Sequence, residues 1–302
     1  MAIDRLRTKY YNATVRSFRR VHDDLAILRI APDRKRLRYQ AGQYTVLGLG
    51  NWEPRIENAQ PEPPDATRIP KLIRRAYSLS ARILDDKGNV VTANSEDELE
   101  FIVALVRNNP DGPAPELTPR LFTLSVGDRL HIGTSCHGRY SLDHVQPSDN
   151  VIFLATGTGE APHNAMLAEL LSMGHAGKVL SLVCVRYSKD LAYLPTHRSL
   201  ETKFSNYGYR TLVTREPNVP KRYIQDYFAS GELEADSQLT LAPENSHVYL
   251  CGNPSMIGLP ERRDDGSHVF PQTTGMVQLL MDRGFQLDHP RQPGNLHVEK
   301  YW

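Results

Sequence analysis

Apolar positions follow two rhythms along the 302-residue chain. In the first half they come in short runs. Positions 11–18 and 25–30 are rich in β-branched and apolar side chains, and Gly42-Gln43-Tyr44-Thr45-Val46-Leu47-Gly48 is bounded by glycines. The pattern resumes at 75–80, 99–106 and 129–133. Such runs predict short strands, and Asp85-Asp86-Lys87-Gly88-Asn89 predicts a hairpin turn. Many short strands with turn signals between them predict an antiparallel barrel or sandwich. Pro54, Pro61, Pro63, Pro64 and Pro70 crowd one stretch. No central strand or helix accommodates them, so a mobile insertion is expected there.

The second half alternates strand and helix. Val151-Ile152-Phe153-Leu154-Ala155 is a continuous apolar strand, followed by a glycine turn and a helix starting near Pro162. Met166, Leu167, Leu170 and Leu171 keep helical spacing up to Gly174. Strands at 179–185, 212–214 and 247–251 and helices at 223–230 and 274–283 complete the alternation. This predicts a doubly wound parallel sheet. Pro147-Ser148-Asp149-Asn150 punctuates the chain, so the expected domains are 1–146 (β barrel) and 147–302 (α/β).

Composition narrows the class. Hydrophobic residues are 40% and charged residues 24%, which excludes a disordered chain, a collagen and a disulfide scaffold. No apolar run reaches the roughly 18–20 residues that span a bilayer. The first eleven residues carry Asp4, Arg5, Arg7 and Lys9 with no apolar core, unlike a secretory leader. Cys136, Cys184 and Cys251 are far apart and odd in number, which fits a reducing cytoplasm and supports no metal site. The net charge of +1 conceals an asymmetry. Residues 1–75 hold 16 Lys/Arg against 8 Asp/Glu, while 76–302 hold 20 against 27. The basic part includes Arg16, Arg19, Arg20, Arg34-Lys35-Arg36 and Arg38. It reads as a solvated surface or as a docking face for an acidic partner; no nucleic-acid motif accompanies it.

Three motifs carry candidate chemistry. Gly157-Thr158-Gly159 between a strand and a helix is a simple turn, or a place where backbone approaches a phosphate at a helix N-terminus. The full dinucleotide fingerprint of an ordinary dehydrogenase is missing. Cys251, in Cys251-Gly252-Asn253-Pro254, ends a parallel strand, where such sheets bind ligands; an inert buried thiol is the alternative. In Arg75-Ala76-Tyr77-Ser78-Leu79-Ser80, Arg75 and Tyr77 share one face and Ser78 the other. That strand could clamp a pyrophosphate and a planar ring, or simply be an exposed barrel strand.

These motifs stand in order with Gly42-Gln43-Tyr44, Leu117-Thr118-Pro119-Arg120-Leu121, Val126-Gly127-Asp128, Arg186-Tyr187, Asp190-Leu191-Ala192-Tyr193-Leu194-Pro195, Thr214-Arg215-Glu216, Ser230-Gly231-Glu232-Leu233-Glu234 and the ending Val298-Glu299-Lys300-Tyr301-Trp302. Together, over nearly the whole chain, they resemble the bacterial-type ferredoxin/flavodoxin–NADP+ reductases.

The resemblance implies a Greek-key FAD-binding barrel followed by an NADP-binding α/β domain. It implies hydride transfer between NADP(H) and FAD, and single-electron transfer between FAD and an acidic ferredoxin or flavodoxin. By resemblance Arg75 contacts the FAD pyrophosphate, Tyr77 packs on the flavin, and Ser78 lies near the hydride-accepting atom. Leu117 and Thr118 contact the FAD phosphates. Tyr301 covers the other flavin face and moves aside for nicotinamide, with Trp302 nearby. Nicotinamide enters beside Cys251, and Glu299 settles charge or relays a proton. Arg186 and Arg215, with Arg222 close to a third position, match sites for the NADP 2′-phosphate. Ala76, Gly157, Thr158, Gly159, Thr214, Gly252 and Asn253 complete the implied cofactor contacts.

The chain also departs from the family. Surplus length lies in 51–74, 82–98 and 259–273, and Glu160 and His163 stand where apolar or aromatic residues are usual. A carboxylate beside a pyrophosphate site is expected to turn away. An oxygenase-reductase component, a free flavin reductase and a non-catalytic flavin-binding module are the competing readings.

Overall fold

The computed structural model describes residues 3–34, 37–63, 70–93, 95–263 and 267–301. It opens on a helix absent from the strand pattern, α1 (Ile3–Tyr10), which buries only Leu6. The strands β1 (Ala13–His22), β2 (Leu25–Pro32), β3 (Tyr44–Gly50) and β4 (Leu72–Ser78) follow. A small hairpin, β5 (Ile83–Leu84) and β6 (Val90–Val91), turns at 85–89. β7 (Leu99–Ala104), the one-turn helix α2 (Thr118–Leu121) and β8 (Arg129–Ile132) complete the half.

Among the described residues this sheet has six strands in the order β4-β3-β8-β1-β2-β7, each pair antiparallel. β8 returns to lie between β1 and β3, a Greek-key crossing. Just beyond β4, the Ser80 amide donates to the Glu100 carbonyl of β7 at 2.9 Å. That single bridge brings the ends of the two edge strands together. Leu28, Ile30, Leu47, Leu49, Phe101, Val103 and Leu130 fill the interior.

The second half contains β9 (Asn150–Thr156), α3 (Glu160–Ser172), β10 (Val179–Val185), α4 (Leu194–Lys203), β11 (Tyr207–Val213), α5 (Ile224–Ala229), α6 (Glu232–Ser237), β12 (Ser246–Gly252) and α7 (Pro254–Ile257). A hairpin of β13 (Glu261–Arg262) and β14 (His268–Val269), then α8 (Met276–Asp282) and β15 (Leu296–Lys300), end it. Among the described residues five strands form one parallel sheet, ordered β11-β10-β9-β12-β15. Every residue of β10 is buried, as a strand covered on both faces requires. The chain order reverses beside β9, so the crevice at the carboxyl ends of β9 and β12 is the ligand position of such sheets.

Besides α1, three further differences from expectation have a clear physical reason. β11 is longer than 212–214, because Arg210 and Thr211 interrupt the apolar run on an edge strand. α4 was invisible because it buries only His197 and Leu200. The C-terminal segment forms an edge strand where no strand was expected, disguised by His297, Glu299 and Lys300. The expected mobile insertion is tied down over its described part, 51–63, by hydrogen bonds to 107–120.

Asp190-Leu191-Ala192-Tyr193 joins the two halves. The Tyr193 hydroxyl donates to Glu100 Oε1 at 2.6 Å and lies 3.4 Å from Ser80 Oγ, at the bridge between the edge strands. Ala192 and Tyr193 pack with Leu25, Ile27 and Ile102 of the barrel. No helix among the described residues is long and apolar enough to cross a membrane.

Candidate active site

The loops after β9 and β12 dovetail backbone to backbone. A Cβ on Gly159 would lie 2.3 Å from the Cys251 carbonyl oxygen, and one on Gly252 2.2 Å from Thr156 Oγ1. Gly252 also holds a φ of +123°, which a side chain would strain. The Asn253 amide donates to Thr156 Oγ1 at 2.7 Å, and Asn253 Oδ1 accepts from the Ser255 amide at 2.8 Å. Gly157, Thr158 and Gly159 form one tight turn leading directly into α3.

β15 delivers the C-terminal residues to this point. Glu299 stands in register with Cys251, and the Tyr301 amide donates to the Gly252 carbonyl at 3.2 Å. The Tyr301 hydroxyl donates to the Thr158 carbonyl at 3.4 Å and meets Ser78 of the barrel and Cys251 of the parallel sheet. Four expected catalytic positions are therefore brought together from two sheets. Trp302 lies outside the described residues. Burial dominates the electrostatics. It pushes the Tyr301 phenol well above its ordinary range and raises the Cys251 thiol, so both are neutral. A neutral Cys251 is a wall, not a nucleophile. Burial also raises the Glu299 carboxyl, which helps it hold a proton.

Along β4, Arg75 and Ala76 are exposed, while Tyr77 packs edge-on against Phe101 and Ser78 is buried. Arg75 Nη2 contacts Glu116 Oε2 at 2.7 Å, which places its guanidinium beside the loop leading to Leu117 and Thr118. The Thr118 hydroxyl accepts from the Val106 amide at 3.1 Å. The donor set fits a dinucleotide flavin: an exposed guanidinium for a diphosphate, aromatic side chains for a planar ring, and a hydroxyl at the meeting of the halves.

Comparison with known proteins agrees. The oxidoreductase NAD-binding domain model matches residues 153–261. The flavodoxin/ferredoxin–NADP reductase of Escherichia coli is 31% identical over 73% of this chain and 77% of its own. The chain belongs to that reductase family. The ferredoxin–NADP reductase of Pseudomonas aeruginosa is 30% identical over 82% of this chain and 88% of its own. A ferredoxin NADP+ reductase from Neisseria gonorrhoeae, solved with bound FAD and NADP, shares the fold with a TM-score of 0.70 at 20% identity, over 97% of this chain and 99% of that one.

At the far edge of the reductase's parallel sheet, the Thr214 amide and hydroxyl both donate to the Val185 carbonyl, and the Arg215 amide donates to the Arg186 carbonyl at 2.8 Å. Arg186 and Arg215 are thereby adjacent, and both are exposed. Arg222 is engaged in a two-point ion pair with Glu232.

Sequence reasoning did not find the partners of Glu160. Its carboxylate turns into the core, where the Tyr209 hydroxyl at 2.9 Å and His197 Nε2 at 3.0 Å bond it. Tyr207 bonds His197 Nδ1 at 2.7 Å. His163 bonds the Tyr140 hydroxyl at 2.7 Å. These partners are remote in sequence and carry no local pattern.

Proposed function

We propose that this reductase holds FAD against residues 1–146 and NADP(H) against residues 147–302, and that hydride passes between them where Ser78, Cys251 and Tyr301 meet. The observation that carries this reading is the Tyr301 hydroxyl, which touches Ser78 of the first half and Thr158 and Cys251 of the second. FAD supplies the redox chemistry, taking an electron pair as hydride and exchanging electrons singly with a ferredoxin or flavodoxin.

The chain's own residues bind, orient and exclude water. Arg75 offers paired donors to the FAD diphosphate, and Leu117 and Thr118 flank it. Ala76 leaves room on the strand, and Tyr77 supplies an aromatic surface. Gly157, Thr158, Gly159, Gly252 and Asn253 bring the chain's backbone close to the NADP(H) diphosphate at the sheet end. Arg186 and Arg215 clamp the 2′-phosphate beside Thr214. Arg222 serves that group only by leaving Glu232. Tyr301 occupies the nicotinamide position and swings out for it, breaking its contacts to Ser78 and Cys251, with Trp302 following. Ser78 positions the acceptor atom by hydrogen bonding, Cys251 shapes the slot, and Glu299 gives or takes a proton at its carboxyl. The work is mainly orientation, which alone supplies several kcal/mol of barrier lowering.

The carrier is an acidic protein. Arg16, Arg19, Arg20 and Arg38 are exposed, and charge steers such transient pairs; Lys35 and Arg36 lie outside the described residues. No nucleic acid is a partner, and the unpaired cysteines suit the cytoplasm. Turnover of NADPH with a low-potential ferredoxin or flavodoxin as acceptor is the test. Absence of turnover with either carrier, or equal use of NADH, would sink the reading.

A further inference from the structure

The described part of the long connection between β3 and β4 lies across the segment that leads into α2. The Gln60 amide donates to the Arg107 carbonyl at 2.8 Å, Gln60 Oε1 accepts from the Asn109 amide at 2.7 Å, and the Ile56 amide donates to the Pro119 carbonyl at 3.1 Å. Arg55 Nη2 donates to the carbonyls of Gln60 and Pro115, each at 2.9 Å. At the centre is Arg120, its side chain 3% exposed. Its two terminal nitrogens donate to the two carboxylate oxygens of Glu62 at 2.7 and 2.8 Å. They also donate to the Glu116 carbonyl at 2.7 Å and the Asn51 carbonyl at 3.2 Å. Arg55 Nε stands 3.6 Å from the same Glu62 carboxylate.

The buried Arg120 guanidinium and the partly buried Arg55 guanidinium thus share one carboxylate. Removing it leaves uncompensated buried positive charge, and the local structure must open to solvate it. The backbone so held lies on both sides of Leu117 and Thr118. The same segment presents Glu116, whose carboxylate sets the Arg75 guanidinium at 2.7 Å. One cluster therefore fixes all three residues assigned to the FAD phosphates, and its carboxylate comes from the proline-rich insertion.

We propose that Glu62 and Arg120 are positioning residues for the FAD diphosphate: the insertion strap sets the 116–118 backbone and, through Glu116, the direction of Arg75. This rests on the cofactor assignment above. The strap acts on the phosphate end of the cofactor and not on the ring slot, since its bonds go to 107–120 rather than to Ser78 or Tyr301.

The test compares FAD with riboflavin, which carries the ring without phosphates. Apoprotein is prepared from the full-length chain and from Glu62→Gln and Arg120→Lys variants. Dissociation constants are read from flavin fluorescence, and apoprotein melting temperature is measured alongside. The expected result is an FAD dissociation constant at least tenfold higher in both variants, with riboflavin affinity changed less than threefold. Where Glu62→Gln does not yield folded protein, Glu62→Asp keeps the charge and shortens its reach, and at least a threefold selective loss of FAD is expected. Unchanged FAD affinity, or equal loss of FAD and riboflavin, overturns the strap's role. A wild-type chain that takes up no FAD instead overturns the cofactor assignment itself.

Discussion

At the scale of single residues, the account depends on a few side chains whose neighbours give them their roles. Arg215 is exposed beside Arg186 and commits its charge to the 2′-phosphate in this reading. Losing a charge-assisted pair of that kind costs about 1.5–3 kcal/mol. Arg215→Ala is therefore expected to raise KM for NADPH by about tenfold or more, with KM for NADH nearly unchanged; steady-state kinetics with both nucleotides decide it, and equal small effects would remove the claim. Tyr301 is the opposite case, an obstruction. Tyr301→Ser removes the ring that touches Ser78 and Cys251, so NADP+ should bind about tenfold more tightly, roughly 1.4 kcal/mol, as read by difference spectroscopy of the flavin. Weaker NADP+ binding in that variant would contradict the proposed displacement. Much of this site was legible in sequence because Arg75, Ser78, Gly157, Gly159 and Cys251 sit in short local motifs. Glu160 was not legible beyond the expectation that it turns away: its partners His197 and Tyr209 come from α4 and β11. Glu62 was hidden for the same reason, since nothing local shows a carboxylate reaching across to Arg120.

At the scale of elements, β9, the glycine turn and α3 form the unit on which the cleft is built. Its strand and turn were readable from a continuous apolar run and two glycines. β15 was not, because an edge strand of five residues with His297, Glu299 and Lys300 among them has the composition of a tail. α3 also carries a pH dependence. His163 is fully packed between Tyr140 and Phe153, and burial lowers its pKa to about 3. The unfolded chain takes up a proton near the ordinary 6.5 while the native state refuses it, so stability is complete above about 6.5 and declines as pH falls toward 3. At pH 5 this one residue costs about 2 kcal/mol. His297, lowered to about 4 by burial, adds a loss of the same sign. Urea unfolding at pH 7.5 and 5.0 should show the decline, and His163→Gln should flatten it by about that amount. An unaltered pH slope in the variant would show that His163 is not the group responsible.

At the scale of the whole molecule, two sheets with different folding rules meet through Tyr193, the bridge between the barrel's edge strands and the C-terminal strand. The change of rhythm near residue 147 made both folds readable, but not how the halves lock, because Tyr193 and Glu100 are remote in sequence. The proposed docking of an acidic carrier on the basic first quarter predicts that, at subsaturating carrier, the rate falls several-fold between about 50 and 500 mM salt, as screening shortens the reach of charge. A salt-independent rate would count against steering. The most direct measurement is anaerobic rapid mixing of the FAD-loaded protein with NADPH, followed by a ferredoxin or flavodoxin. The account predicts that NADPH bleaches the flavin absorbance and that the carrier restores it. A yellow protein whose spectrum NADPH leaves untouched would contradict it.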